Sequence, residues 1–248
     1  MIVKEKLTEG GHWYTPKGEP FYTMMGANGE QRNTTLRDAR KLGLLPSVTT
    51  INSLLAKAGL NLYLQQQVLL AALTLPRLPN EPENDWLKRV MSDSKATGRD
   101  AAERGTRIHA IVQSYFEGSY HIEPPAYLQN IENALKEAYG EQHWLAEKSF
   151  AHPLEYGGKC DLMSPNGLVV DFKTKDTPLD KVDVYFEHEM QLAAYREGLG
   201  MPSAKCAIVF INGTTNEVKL IKIEDSALQK GWECFQHLLR VYQIKNGI

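Results

Sequence analysis

Two aspartates and a lysine crowd a stretch that turns back on itself: Asp161, Asp171 and Lys173 in GGKCDLMSPNGLVVDFKTK, residues 157–175. Ser164-Pro165-Asn166-Gly167 suits a type I turn, with Pro165 supplying a preset φ and Gly167 the left-handed position of a G1 bulge. A three-residue loop at 165–167 pairs Ser164 with Leu168, and counting back along the strands sets Asp161 across from Asp171. A two-residue loop would shift the register by one and put the acids on opposite faces. Asp171 and Lys173 are two apart and share a face, while Val170 and Phe172 point the other way into a core. Carboxylates opposed with Cβ atoms about 5 Å apart repel, and one pKa rises unless a cation lies between them. A hard divalent ion with oxygen ligands is one resident of such a place. A salt-bridged structural hairpin and a different catalytic use are the others.

The elements that must hold this hairpin follow from patterning. Helices are expected at 99–117, ending at Gly118, and at 126–139 after Pro124 and Pro125. Strands are expected at 147–154, 158–164 and 168–174, a helix at 186–199, strands at 205–211 and 217–223, and a last helix at 225–243. That order predicts an α+β fold with a mixed central sheet flanked by helices. Upstream, HWYTPKGEPFYT reads as a hairpin with aromatic strands around Pro16, Gly18 and Pro20. PSVTTINSLLAKAG reads as a short helix capped by Ser47 or Thr49 and ended by Gly59. LNLYLQQQVLLAALTL continues as an apolar helix, stopped by Pro76, Pro79 and Pro82. The chain is accordingly divided into an N-terminal hairpin and helical elaboration, 1–95, covering a cleft, and a core, 96–248.

Bulk properties narrow the class. The chain has 248 residues, 42% hydrophobic, with 28 basic and 30 acidic residues and a net charge of −2. This is enough for one sizeable core and gives no general attraction to nucleic acid, so phosphate contacts need a local basic surface or bound cations. The three cysteines, Cys160, Cys206 and Cys234, have no zinc, iron–sulfur or disulfide spacing. The N-terminus shows no apolar signal-peptide core, and VLLAALTL is too short to cross a bilayer. A soluble cytoplasmic protein of a bacterial or phage-infected cell, without membrane partners, is expected.

With CDL…VVDFKTK set between two helices, the chain resembles the PD-(D/E)xK nucleases, and specifically their RecB-like exonuclease branch. GTRIH resembles the branch's helical histidine element and supplies His109; AEKSF supplies Glu147 before the hairpin; DFKTK is the acid–x–lysine core; MQLAAY resembles its glutamine–x–x–x–tyrosine helix, with Gln191 and Tyr195. PSVTTI is similar to a segment of the mitochondrial genome-maintenance exonucleases and related phage exonucleases. The stretches 1–45 and 60–95 carry no such likeness.

The resemblance implies a restriction-endonuclease-like αβββαβ core, magnesium or manganese, and phosphodiester hydrolysis on DNA, at a single strand or a strand end, in replication, recombination or repair. It makes Asp161, Asp171, the Phe172 carbonyl and His109 metal ligands, and Lys173 the catalytic lysine. Glu147 binds metal, orients water or supports the site electrostatically, and Gln191 lies near the lysine or substrate with Tyr195 behind it. Arg107 and Lys175 flank the motifs as phosphate contacts, His188, one helical turn before Gln191, is expected to face the substrate, and Gly105 allows close backbone approach. A protein partner in DNA processing is a further expectation. The competing readings are a catalytically silent nucleic-acid-binding or inhibitory module on the same fold, and a structure-selective endonuclease.

Overall fold

The computed structural model describes residues 11–248, and the expectation about the first ten residues lies outside them. The described chain forms two compact units: Leu55–Arg107, and residues 11–54 together with Ile108–Ile248. The division differs from one after residue 95, because 11–54 belongs with the sheet-containing unit. In chain order that unit begins with β1 (Trp13–Tyr14), β2 (Thr23–Met25), β3 (Gln31–Asn33), α1 (Leu36–Leu42), β4 (Leu45–Pro46) and α2 (Val48–Asn52).

The aromatic hairpin expected at 12–23 is only partly there. Phe21 N–H donates to Trp13 O at 2.7 Å and Thr15 N–H to Glu19 O at 2.8 Å, closing a tight loop. Yet β1 takes β4 as its strand partner, with Trp13 opposite Pro46. Pro20 has no N–H with which to extend the local ladder, and burying Trp13 and Tyr14 favours the distant strand. Ser47 caps α2 by accepting from Thr50 N–H. The helix then stops at Asn52, where the Ser53 hydroxyl donates to Thr50 O at 2.6 Å. Gly59 therefore does not end it; that glycine lies in the first turn of the next helix.

The other unit holds α3 (Ala58–Thr74), α4 (Glu83–Ser94) and the first part of α5 (Ala96–Phe116). The three prolines fill the connection from α3 to α4, as expected. That connection is fastened by Trp86 Nε1 donating to Leu75 O at 2.7 Å and by an Arg89–Glu81 ion pair at 2.9 Å. Helix α5 starts before Gly98 and runs across the division between the units.

The remaining elements are α6 (Ala126–Tyr139), β5 (Leu145–His152), β6 (Tyr156–Ser164), β7 (Leu168–Thr174), α7 (Phe186–Gly198), β8 (Lys205–Ile211), β9 (Val218–Ile223) and α8 (Asp225–Asn246). The five strands lie in one mixed sheet in the order β5-β6-β7-β8-β9, parallel only between β7 and β8. The succession α6-β5-β6-β7-α7-β8 is the expected αβββαβ order. Leu162, Val170, Phe172, Val209 and Ile211 form a core with Val112 of α5 and Tyr127, Leu128, Ile131 and Leu135 of α6. Alternation along β7 therefore turns Asp171 and Lys173 to the opposite face, toward α7. No helix among the described residues is long and apolar enough to cross a membrane.

Candidate active site

The hairpin turn has the expected register. Ser164 pairs with Leu168, Met163 with Val169 and Leu162 with Val170; Gly167, at φ 84°, donates its N–H to Ser164 O at 3.0 Å. One step further, where Asp161 and Asp171 face each other, the backbone ladder ends. Phe172 N–H instead donates to Asp161 Oδ2 at 2.7 Å. The pairing of β6 with β5 also skips one step, Glu147 with Asp161. Asp161 is thus the residue at which β6 leaves the ladder on both sides, and its carboxylate takes the place of a strand carbonyl.

Side chains from three elements close around this opening. His109 of α5 brings Nδ1 to 3.6 Å from Asp161 Oδ2, and its ring lies edge-on to Phe172. Lys173 Nζ lies 2.6 Å from Asp171 Oδ2 and donates to Gln191 Oε1 at 3.2 Å. Gln191 Nε2 in turn donates to Asp171 Oδ1 at 3.1 Å and lies 2.8 Å from the Tyr195 hydroxyl. The i, i+4 spacing of Gln191 and Tyr195 is what stacks them on one side of α7.

Burial and charge act differently on the two acids. Asp171 is 3% exposed, and burial, opposed by Lys173 and reinforced by Asp161, pushes its pKa up to about 6. Burial works to raise Asp161 too, but the His109 imidazole, the Phe172 amide and Lys173 together hold it below the usual carboxylate range. Burial lowers the proton affinity of His109, and the neighbouring Asp161 and Asp171 charges reverse that, for a net rise. Lys173 behaves likewise: Asp171 and then Asp161 outweigh its desolvation. Burial, followed by the two carboxylates, drives Tyr195 far up, so it stays a neutral phenol.

The other expected residues lie elsewhere. Glu147 sits across from Asp161 in register but adopts a left-handed backbone, φ 53°, and its carboxylate pairs with Lys159. Lys175 stands over the Tyr185 ring at 5.6 Å, and His188 Nδ1 accepts from Tyr185 N–H at 3.3 Å. Both therefore gather at the start of α7 around Tyr185. Arg107, which is exposed, and Gly105 lie on the part of α5 that belongs to the first unit. Sequence reasoning passed over Lys159. Its alternation with Asp161 along the strand was the available signal, though a lysine at that spacing is common on any strand.

Among the described residues, no three or more His, Cys, Asp and Glu side chains gather as they would around an ion. Lys173 engages Asp171, and Lys159 engages Glu147. What does fit a hard cation is the donor chemistry of the opposed pair: two buried carboxylates, one with its pKa raised by burial and then by the other's charge, beside an imidazole.

No protein-family model matches the chain, and no curated protein matches it. Among solved structures, a protein of Eubacterium rectale provisionally described as an exonuclease is similar over 58% of this chain and 68% of its own, at 18% identity and a TM-score of 0.39. An alkaline exonuclease of Laribacter hongkongensis is similar over 57% of this chain and 81% of its own, at 12% identity and a TM-score of 0.35. Its complex with dAMP gives 14% identity and a TM-score of 0.34 over the same shares. These are partial likenesses.

Proposed function

We propose that the protein is a divalent-metal-dependent deoxyribonuclease that works as an exonuclease on the ends of linear DNA, in replication, recombination or repair. The observation that carries this reading is the meeting of Asp161, Asp171 and Lys173 where the hairpin ladder parts, with Gln191 tying Lys173 to Asp171. Asp161 and Asp171 would hold magnesium or manganese, with His109 and the Phe172 carbonyl as further ligands. Such an ion, when bound, lowers the pKa of a water and neutralises charge on the phosphoryl oxygens.

The chain's own groups do the rest. Asp161 and Asp171 supply the negative charge that places cation and water at the opening. Lys173 meets the non-bridging phosphate oxygens as water attacks phosphorus and the bond to the leaving sugar oxygen breaks. Gln191 holds the ammonium and Asp171 in one orientation, and Tyr195 holds Gln191. The Glu147 carboxylate is held by Lys159. Arg107, Lys175 and His188 remain candidates for contact with the strand beyond the cleaved bond.

The test is digestion of end-labelled linear single- and double-stranded DNA beside a closed circle, with magnesium, manganese or EDTA, using wild type and Lys173→Ala. Expected is metal-dependent loss of linear DNA, sparing of circles, and no loss with the variant. Cleavage of circles would move the reading to an endonuclease. Inertness of the folded wild type with every metal would move it to a binding module.

A further inference from the structure

The Glu147–Lys159 pair is left over once Asp161, Asp171 and Lys173 are accounted for. Lys159 stands two residues before Asp161 on β6, so the two side chains leave the strand on one side, about 6.6 Å apart along it. Lys159 is the member of the pair that meets solvent: its side chain is 32% exposed against 15% for Glu147. Diagonal neighbours on regular strands already come within reach of each other, so an ion pair at this register has no need of an unusual backbone. Glu147 nevertheless adopts φ 53°, in a region that residues with a Cβ enter at a cost and that recurs at functional sites.

Two rings stand near the same stretch of β6, reached through Tyr14, which packs on Gly157 two residues before Lys159. The His12 ring centroid lies 4.7 Å from that of Tyr22. Burial and then the positive charge of Lys159 both lower the proton affinity of His12. Tyr22 is fixed from behind by its hydroxyl, 2.7 Å from that of Tyr14, which is itself buried against Gly157. A cation near a ring pair, two residues along the strand from Asp161, suits a nucleotide unit: phosphate on the ammonium, base against the rings.

We propose that Lys159 is the phosphate contact of a second substrate subsite, where a DNA backbone phosphate next to the cleaved one takes the place of Glu147 and the His12–Tyr22 pair lies against a base. The proposal rests on the DNA-cleaving reading of the site. In this role Glu147 parks the lysine when no DNA is bound.

A lysine–phosphate contact releases a counterion, so its removal changes the salt dependence of binding, which loss of an internal ion pair does not. The experiment measures anisotropy of a fluorescein-labelled, phosphorothioate-linked single-stranded oligonucleotide across a sodium chloride series at fixed calcium. Wild type, Lys159→Gln, Glu147→Gln and the double variant are compared, with thermal unfolding of each. Lys159→Gln and the double variant should bind several-fold more weakly, with a log–log salt slope shallower by about 0.7. Glu147→Gln, which frees the lysine, should keep the full slope and bind at least as tightly. The double variant leaves no unpaired charge, so it carries the comparison if Lys159→Gln is poorly folded. Equal slopes in all four proteins would overturn the proposal and leave a structural ion pair. Failure of wild type to bind the oligonucleotide at any salt would overturn the DNA reading itself, and this subsite with it.

Discussion

The two ends of the β6–β7 hairpin are built from one sequence stretch and closed by different means. At the turn, Leu162–Ser164 and Leu168–Val170 are joined by a regular backbone ladder. At the far end, Asp161, Asp171 and Lys173 are joined through side chains, with a carboxylate standing where a carbonyl would bond. The turn end is specified by local chemistry and contributes stability. The far end gives up backbone pairing and buries like charges, a cost that stable proteins accept mainly where those groups act.

The largest effect is expected from removing charge at the open end. Lys173→Ala should lower cleavage by about 10²–10³-fold, the scale set by loss of one preorganised charge-stabilising group. A single-turnover assay checks it, and a loss below tenfold would mean that the lysine is structural. Next comes pH. Asp171 ionises near pH 6 in the fold and near 4 when unfolded, so the folded state holds its proton more tightly. Its contribution is therefore present at low pH and lost as pH rises from about 4 to about 6, by up to about 3 kcal/mol. In EDTA, the stability of wild type to urea should fall over that window relative to Asp171→Asn. Parallel curves would contradict the raised pKa.

Smaller effects test the supports on either side. A Cβ at Gly158 would lie 2.5 Å from Phe150 Cζ and 3.2 Å from Tyr195 Cε1. Gly158→Ala should cost about 1–3 kcal/mol by overpacking, and should slow cleavage by displacing Tyr195 from Gln191. Calorimetry and the cleavage assay on the same sample read both. At the turn, a Cβ on Gly167 meets nothing within 4 Å, so only its φ of 84° resists substitution. Gly167→Ala should cost about 1 kcal/mol and leave the cleavage rate unchanged. A rate effect there would show that the two ends are not separable.

Legibility followed the same divide. The helix at 126–139 and the strands at 168–174 and 205–211 were readable to the residue, because prolines, glycines and turn residues bound them locally. The opposition of Asp161 and Asp171 followed from the turn alone. The pairing of β1 with β4 was hidden because it depends on burying Trp13 and Tyr14 against distant chain, not on the neighbouring turn. The start of α5 was hidden because Gly98 looked like a boundary, while a helix tolerates a glycine at about 1 kcal/mol. The reversal at Glu147 has no local signature at all, since a left-handed glutamate within a strand is set by its surroundings. Its capture by Lys159 was illegible for the same reason.

The bond from the Phe172 amide to Asp161 bears on how an inactive protein should be made for trapping DNA. Truncating Asp161 would unpick a seam of the sheet as well as remove an acid, and a complex so obtained would report a loosened hairpin. Lys173→Ala leaves that seam sewn. It is the variant with which binding of a DNA strand could be tested on an intact site.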